Sequence, residues 1–121
     1  MLDRREVIVG MTGTVAGKRP QGRFGMHGKF TAKPGQRDAL LAILLEAADG
    51  MAAVKGCQVY IVGVAPDDAD AVWVTEVWDS KADHAASLNL PGTPEMIARA
   101  RPLIAGMDGV TTTPLGGKGL S

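Results

Sequence analysis

The sequence predicts an α+β domain of the ferredoxin-like, split βαβ kind, a four-stranded antiparallel sheet with helices on one face. Three observations carry that expectation. Candidate elements follow one another as strand, helix, strand, strand, helices, strand. The stretch Ala71-Val-Trp-Val-Thr-Glu-Val-Trp-Asp-Ser80 is dense in β-branched and aromatic residues and apolar on both of its faces. At 121 residues the chain is long enough for one core and too short for two independent ones.

Trp73 and Trp78 are five positions apart, an odd number, so in a strand they point to opposite sides of the sheet. Val72, Val74, Glu76 and Trp78 share one face, and Ala71, Trp73, Thr75 and Val77 the other. Helices of a chain this size cover one face only. The other is expected to be buried against an identical chain, since two-fold dimers are the commonest closed assembly.

Residues 1–22 read as an extension. Asp3-Arg-Arg-Glu-Val-Ile8, an apolar glycine-containing run to Gly17 and then Lys18-Arg19-Pro20 resemble a degenerate twin-arginine export signal that lacks a small-x-small cleavage site. The alternatives are export and a cytoplasmic extension, and the single cysteine, Cys57, fits the reducing cytoplasm. Residues 23–115 form the expected domain, and 116–121, rich in glycine, a flexible tail.

Within the domain, Arg23 to Thr31 alternates as a strand weakened by Gly25 and Gly28, which leave room for another backbone or a ligand. Lys33-Pro-Gly35 turns into a helix whose stripe is Leu40, Leu41, Leu44, Leu45 and Ala48, ending near Asp49-Gly50. Cys57 to Val64 is the second strand. Pro66 to Asp70 is turn chemistry joining it antiparallel to the tryptophan strand. Ser80, with Asp83 three residues on, caps a short helix to about Leu88. Thr93 is expected to cap the next helix with Pro94 at its first position, and Pro102 to end it. Val110 to Thr113 reads as the last strand.

Thirteen basic and thirteen acidic residues cancel, so no long-range field gathers nucleic acid or an anionic membrane surface, and neither is expected as a partner. Cys57 lies among apolar residues with no adjoining basic cluster and reads as a small buried hydrophobe. His27 and His84, 57 positions apart, match no zinc pattern, so no metal site is expected.

Gly28-Lys-Phe-Thr-Ala-Lys-Pro-Gly35, Gly56-Cys-Gln-Val-Tyr60 and Trp73-Val-Thr-Glu-Val-Trp-Asp-Ser80 with His84 just after resemble the antibiotic biosynthesis monooxygenase family, quinol monooxygenases included. The resemblance spans residues 23–113 and rests most on the Glu-x-Trp segment and the Pro-Gly opening of the first helix. It implies a dimeric α+β barrel. It also implies oxidation of an electron-rich aromatic, quinol- or anthrone-like, by molecular oxygen without metal or flavin. The physical logic is that a pocket which removes a phenolic proton and shields the anion makes the substrate itself the electron donor. Many relatives carry a second histidine where this chain has Ala85-Ala-Ser-Leu88, and haem-degrading relatives need an axial histidine there, which argues against haem chemistry. The competing class is a ligand-binding or stress-associated homodimer that keeps the pocket without the chemistry.

The catalytic candidates are His84, Glu76 and Trp78. Glu76 is the odd residue of its strand, a carboxylate among Val and Trp that is either paired across an interface or set in a wet cavity. Trp78 matches the Glu-x-Trp position and is either a wall and indole donor for a flat substrate or a core tryptophan. His84 is either a base or orienting group near neutral pH or an exposed helix histidine. His27, Tyr60 and Trp73 are the substrate-binding candidates, through an imidazole, a hydroxyl and an aromatic face.

Overall fold

The computed structural model describes residues 21–120. The twin-arginine-like stretch, residues 3–20, therefore lies outside the described residues. The elements are β1 (Phe24–Ala32), α1 (Arg37–Gly50), β2 (Cys57–Ala65), β3 (Asp68–Trp78), α2 (Lys81–Ser87), α3 (Thr93–Ala100) and β4 (Ile104–Thr112). One turn of 3₁₀ helix follows each of α1 and α3, at Met51–Ala53 and Arg101–Leu103. The sheet runs β2-β3-β1-β4, every neighbour antiparallel. This is the ferredoxin-like α+β arrangement expected from the order of elements. Among the described residues no helix is long and apolar enough to cross a membrane.

Local chemistry explains the joints. Between β1 and α1 the Gln36 N–H donates to the Lys33 carbonyl at 2.9 Å, with Pro34 and Gly35 between them and Gly35 at φ 78°. Proline then a left-handed glycine is the signature of a type II turn, and it aims α1 back across the sheet. The Ser80 hydroxyl accepts the Asp83 N–H at 3.0 Å, the expected cap of α2. Pro102 lies two residues past Ala100, the last residue of α3, inside the 3₁₀ turn Arg101–Leu103, and its missing donor and its ring keep the helix from running on.

Four expectations need correction. The β2–β3 turn is only Pro66-Asp67, because Asp68 to Asp70 already pair as strand. The cap of α3 is Gly92, at φ 87°, and Thr93 begins the helix without a capping hydrogen bond. On α1 the buried stripe is Leu40, Leu44 and Ala47, while Leu45 is exposed, one helix position off the core-facing side. The last strand begins at Ile104, six residues before Val110, since pairing along β1 overrides the poor strand propensity of Gly106, Asp108 and Gly109.

The core sits between the helices and one face of the sheet, around Ala32, Leu40, Leu44, Val72, Val74 and Ala100. Trp78, Leu40 and Val72 are its largest wholly buried side chains. The opposite face is bare. Ile61 and Val110 there are each 61% exposed, the half-buried Val59, Trp73 and Val77 lie on the same face by register, and among the described residues no helix covers them.

Candidate functional site

A cavity of about 450 Å³ lies between the helix-covered face of the sheet and α1, α2 and α3. The strands supply its floor. Tyr60, Glu76 and Met26 stand side by side across β2, β3 and β1, and Phe30 lies four residues further along β1. The helices supply mostly aliphatic walls, including Ile43, Leu44 and Ile97. All four methionines of residues 21–120, Met26, Met51, Met96 and Met107, line this space. Unbranched, polarizable side chains suit a wall that adapts to a flat aromatic guest.

Three catalytic candidates converge. The Trp78 indole N–H donates to Glu76 Oε1 at 3.0 Å. His84 Nε2 lies 3.9 Å from the same oxygen. The imidazole stands edge-on to Trp78, ring centroids 5.6 Å apart, and tilted against Phe24 at 5.3 Å. Strand periodicity puts Glu76 and Trp78 on one face, and the Ser80 cap fixes where α2 begins and hence where His84 meets them. The bland reading of His84 as an exposed helix histidine does not hold, because its side chain is mostly buried.

Tyr60 also lines the cavity, opposite Glu76 in the strand register. Burial, then the Glu76 charge and then Cys57 push its phenol well above its ordinary value of 10.0. The hydroxyl is thus a proton donor throughout the neutral range. Cys57 is pushed up as well, by burial first and then by Glu76, against a smaller opposing backbone hydrogen bond at Val59; its thiol also donates to the Val59 carbonyl at 3.6 Å. A half-buried thiol held protonated is a poor nucleophile, in line with its reading as a small hydrophobe.

His27 and Trp73 lie elsewhere. Their rings stack at 4.9 Å with an interplanar angle of 22°, and His27 Nδ1 is hydrogen-bonded to Thr75 Oγ1 at 2.8 Å. Both side chains belong to the bare face, so the structure sets them apart from the cavity where sequence reasoning had grouped them with the substrate-binding residues. The physical reason is the period of two: an odd offset from Glu76 and Trp78, within a strand or across its register, crosses the sheet.

Sequence reasoning missed Arg101, Thr93 and Ser87, which also line the cavity. The Ser87 hydroxyl is spent on the His84 carbonyl at 2.6 Å, and Thr93 is buried. Arg101, exposed, is the one permanently charged basic side chain of that lining and has no ion-pair partner among the described residues. A signal for it existed: Met96, Ile97, Ala100 and Arg101 fall at helical spacing on one side of the chain, whereas Arg99 turns outward to Glu46 at 3.1 Å. Among the described residues no three His, Cys, Asp or Glu side chains come together as a metal site.

The fold and this walled, acid-bearing cavity define an α+β domain with a cavity between sheet and helices. The family model for antibiotic biosynthesis monooxygenase matches residues 23–99. The chain belongs to the antibiotic biosynthesis monooxygenase family. Among solved structures it is similar to a candidate antibiotic biosynthesis monooxygenase from Chloroflexus aurantiacus J-10-fl, with 48% identity and a TM-score of 0.75 over 83% of this chain and 100% of that one. It also resembles in fold a candidate member from Caulobacter crescentus CB15, at 18% identity and TM-score 0.72, covering 81% and 94% of the two chains. A third, from Deinococcus radiodurans, has 21% identity and TM-score 0.68, covering 78% and 94%. No curated relative matches the chain.

Proposed function

We propose that this protein oxidises an electron-rich aromatic of the quinol or anthrone type with molecular oxygen, without a cofactor, and that it does so as a homodimer whose bare sheet faces pack together. The observation that carries the reading is the Glu76 carboxylate, held by the Trp78 indole and within 3.9 Å of the His84 imidazole at the wall of an apolar cavity. A mostly buried acid with an imidazole beside it is equipped to take a proton from a bound phenol or enol and pass it on. Apolar walls exclude the water that would otherwise quench the anion.

The steps balance without a further reagent. For an anthrone, the Glu76–His84 pair removes the proton that separates the ketone from its enolate. The enolate gives one electron to dioxygen, and the resulting radical and superoxide combine at the ring carbon. Proton return and loss of water leave a ketone at that carbon, with one oxygen atom in the product and the other in water. Tyr60, kept protonated, donates a hydrogen bond to the substrate oxygen as charge builds on it. Trp78, wholly buried, holds the Glu76 carboxylate from behind rather than meeting the ring.

Oxygen uptake tests this directly. Purified protein stripped of metal and flavin is expected to raise the rate above spontaneous oxidation of 1,8-dihydroxyanthrone or a hydroquinone. A rate at background across a panel of both classes overturns the enzyme and leaves a small-ligand-binding homodimer.

A further inference from the structure

A second hollow of about 280 Å³ continues the cavity over β1 and β4 and shares Met26, Phe30, Glu76 and Met107 with it. Its floor follows from strand register. On the helix-covered face, β3, β1 and β4 place Glu76, Met26 and Thr111 in one row, Val74, Gly28 and Gly109 in the next, and Val72, Phe30 and Met107 in the third. Side chains two apart along a strand are separated by about 7 Å. Over β1 and β4 the middle row therefore has no side chain, and the flanking rows stand as ridges about 13 Å apart at the backbone.

The two glycines differ in what they leave open. A Cβ on Gly109 would sit 3.0 Å from both Gly28 Cα and the His27 carbonyl oxygen, so close approach of the strands requires that glycine. A Cβ on Gly28 would meet only the Asp108 carbonyl oxygen, at 3.5 Å, an ordinary contact. Nothing in the packing demands glycine at 28, and a glycine inside a strand is less stable there than alanine. The empty position has another use.

We propose that the trough over Gly28 is a ring subsite, and that Gly28 sets how many fused rings the substrate carries. The proposal rests on the aromatic-substrate reading of the main cavity and adds its size class: three or more linearly fused rings, the reacting end at Glu76 and His84, the far ring flat on the glycine floor between Met26 and Phe30. Continuity of the two hollows through Glu76 makes one planar molecule the occupant. Methionine on either side, at Met26 and Met107, gives the ring polarizable walls.

Calorimetric titration under argon reads binding without turnover. Wild type, Gly28→Ala and Gly28→Val are titrated with naphthalene-1,5-diol, of two rings, and 1,8-dihydroxyanthrone, of three. Gly28→Ala is expected to weaken the anthrone about tenfold and Gly28→Val further, because the far ring loses its apolar contact, while the diol stays within twofold. Unfolding midpoints at or above the wild type's show that the fold is kept. Anthrone affinity unchanged in both variants, or both ligands weakened alike, overturns the subsite and leaves the aromatic-site reading intact. Failure of the wild type to bind either ligand overturns both.

Discussion

Trp78 and Trp73 lie five residues apart on one strand, in two regions of different construction. Trp78 is fully buried beneath the helices, its indole N–H committed to Glu76 and its ring against His84. Trp73 is half-buried on the bare face, stacked on the exposed His27, with Ile61 and Val110 left open nearby. The helix-covered face brings an acid, an imidazole and a phenol around an apolar space. The bare face carries β-branched and aromatic residues together with His27 and Thr75, which satisfy each other at 2.8 Å, and with Lys29, which reaches Asp68 at 3.6 Å, and Asp108. On the proposed function, one region serves chemistry and the other contact between chains. Substitutions on the two faces should therefore fail in different ways.

The largest effect is expected on the covered face. Glu76→Gln keeps shape and one acceptor for the Trp78 indole but removes the base, and should lower turnover by about two orders of magnitude or more, the usual contribution of a positioned base. His84→Ala should fall comparably if the imidazole relays the proton. Both variants should sediment as the wild type does. Initial rates of oxygen uptake and sedimentation velocity check the pair. Loss of assembly along with activity would erase the distinction between the faces.

The pattern of these two faces was legible in the sequence because strand periodicity is strict: the odd offset between Trp73 and Trp78 already separates them, and Glu76 stands out as a carboxylate among apolar neighbours. The route from α1 through β2 to the Ser80 cap was legible too, through turn and capping chemistry acting over a few residues. What sequence obscured depends on contacts distant in the chain. Ile104 to Gly109 has poor strand propensity and becomes strand only because β1 lies beside it. His27 and Trp73 look like binding residues by type, and only the register with Thr75 shows that they face away from the cavity. Arg101 was hidden by Pro102, which draws the eye to where α3 stops rather than to what its last turn faces.

A smaller effect is expected on the bare face. Trp73→Asp places a charge where two sheets would meet, and a buried unpaired charge costs several kcal/mol, enough to weaken dimerisation about a hundredfold or more. The cavity does not include Trp73, so ligand binding per chain should stay within about threefold wherever the variant remains folded. Sedimentation equilibrium across a concentration series reads the dissociation constant. An unchanged constant would place the contact on another surface, and a stable wild-type monomer at micromolar concentration would remove the dimer.

The smallest effect tests whether the covered face is as dry as its pairings imply. Tyr60 has its pKa raised above 10.0 and Cys57 above 9.0, both chiefly by burial and next by the Glu76 charge. A raised value means that the folded state holds the proton more tightly than the unfolded chain does. The neutral phenol therefore gives its full stabilisation below pH 10, and that stabilisation is lost as pH climbs from 10 toward the folded value. Cys57 adds a decline of the same sign that begins lower, from about 9. Urea unfolding between pH 8 and 11 should thus show stability falling with pH, and Tyr60→Phe should flatten the part above 10 while leaving the earlier part in place. The same variant loses a neutral hydrogen-bond donor to the substrate oxygen, so turnover at pH 7.5 should drop about tenfold while affinity for the ring changes little. An alkaline profile identical in wild type and variant would mean that water reaches the phenol freely, and the site would then be a wet cleft rather than the closed apolar pocket that shields an anion.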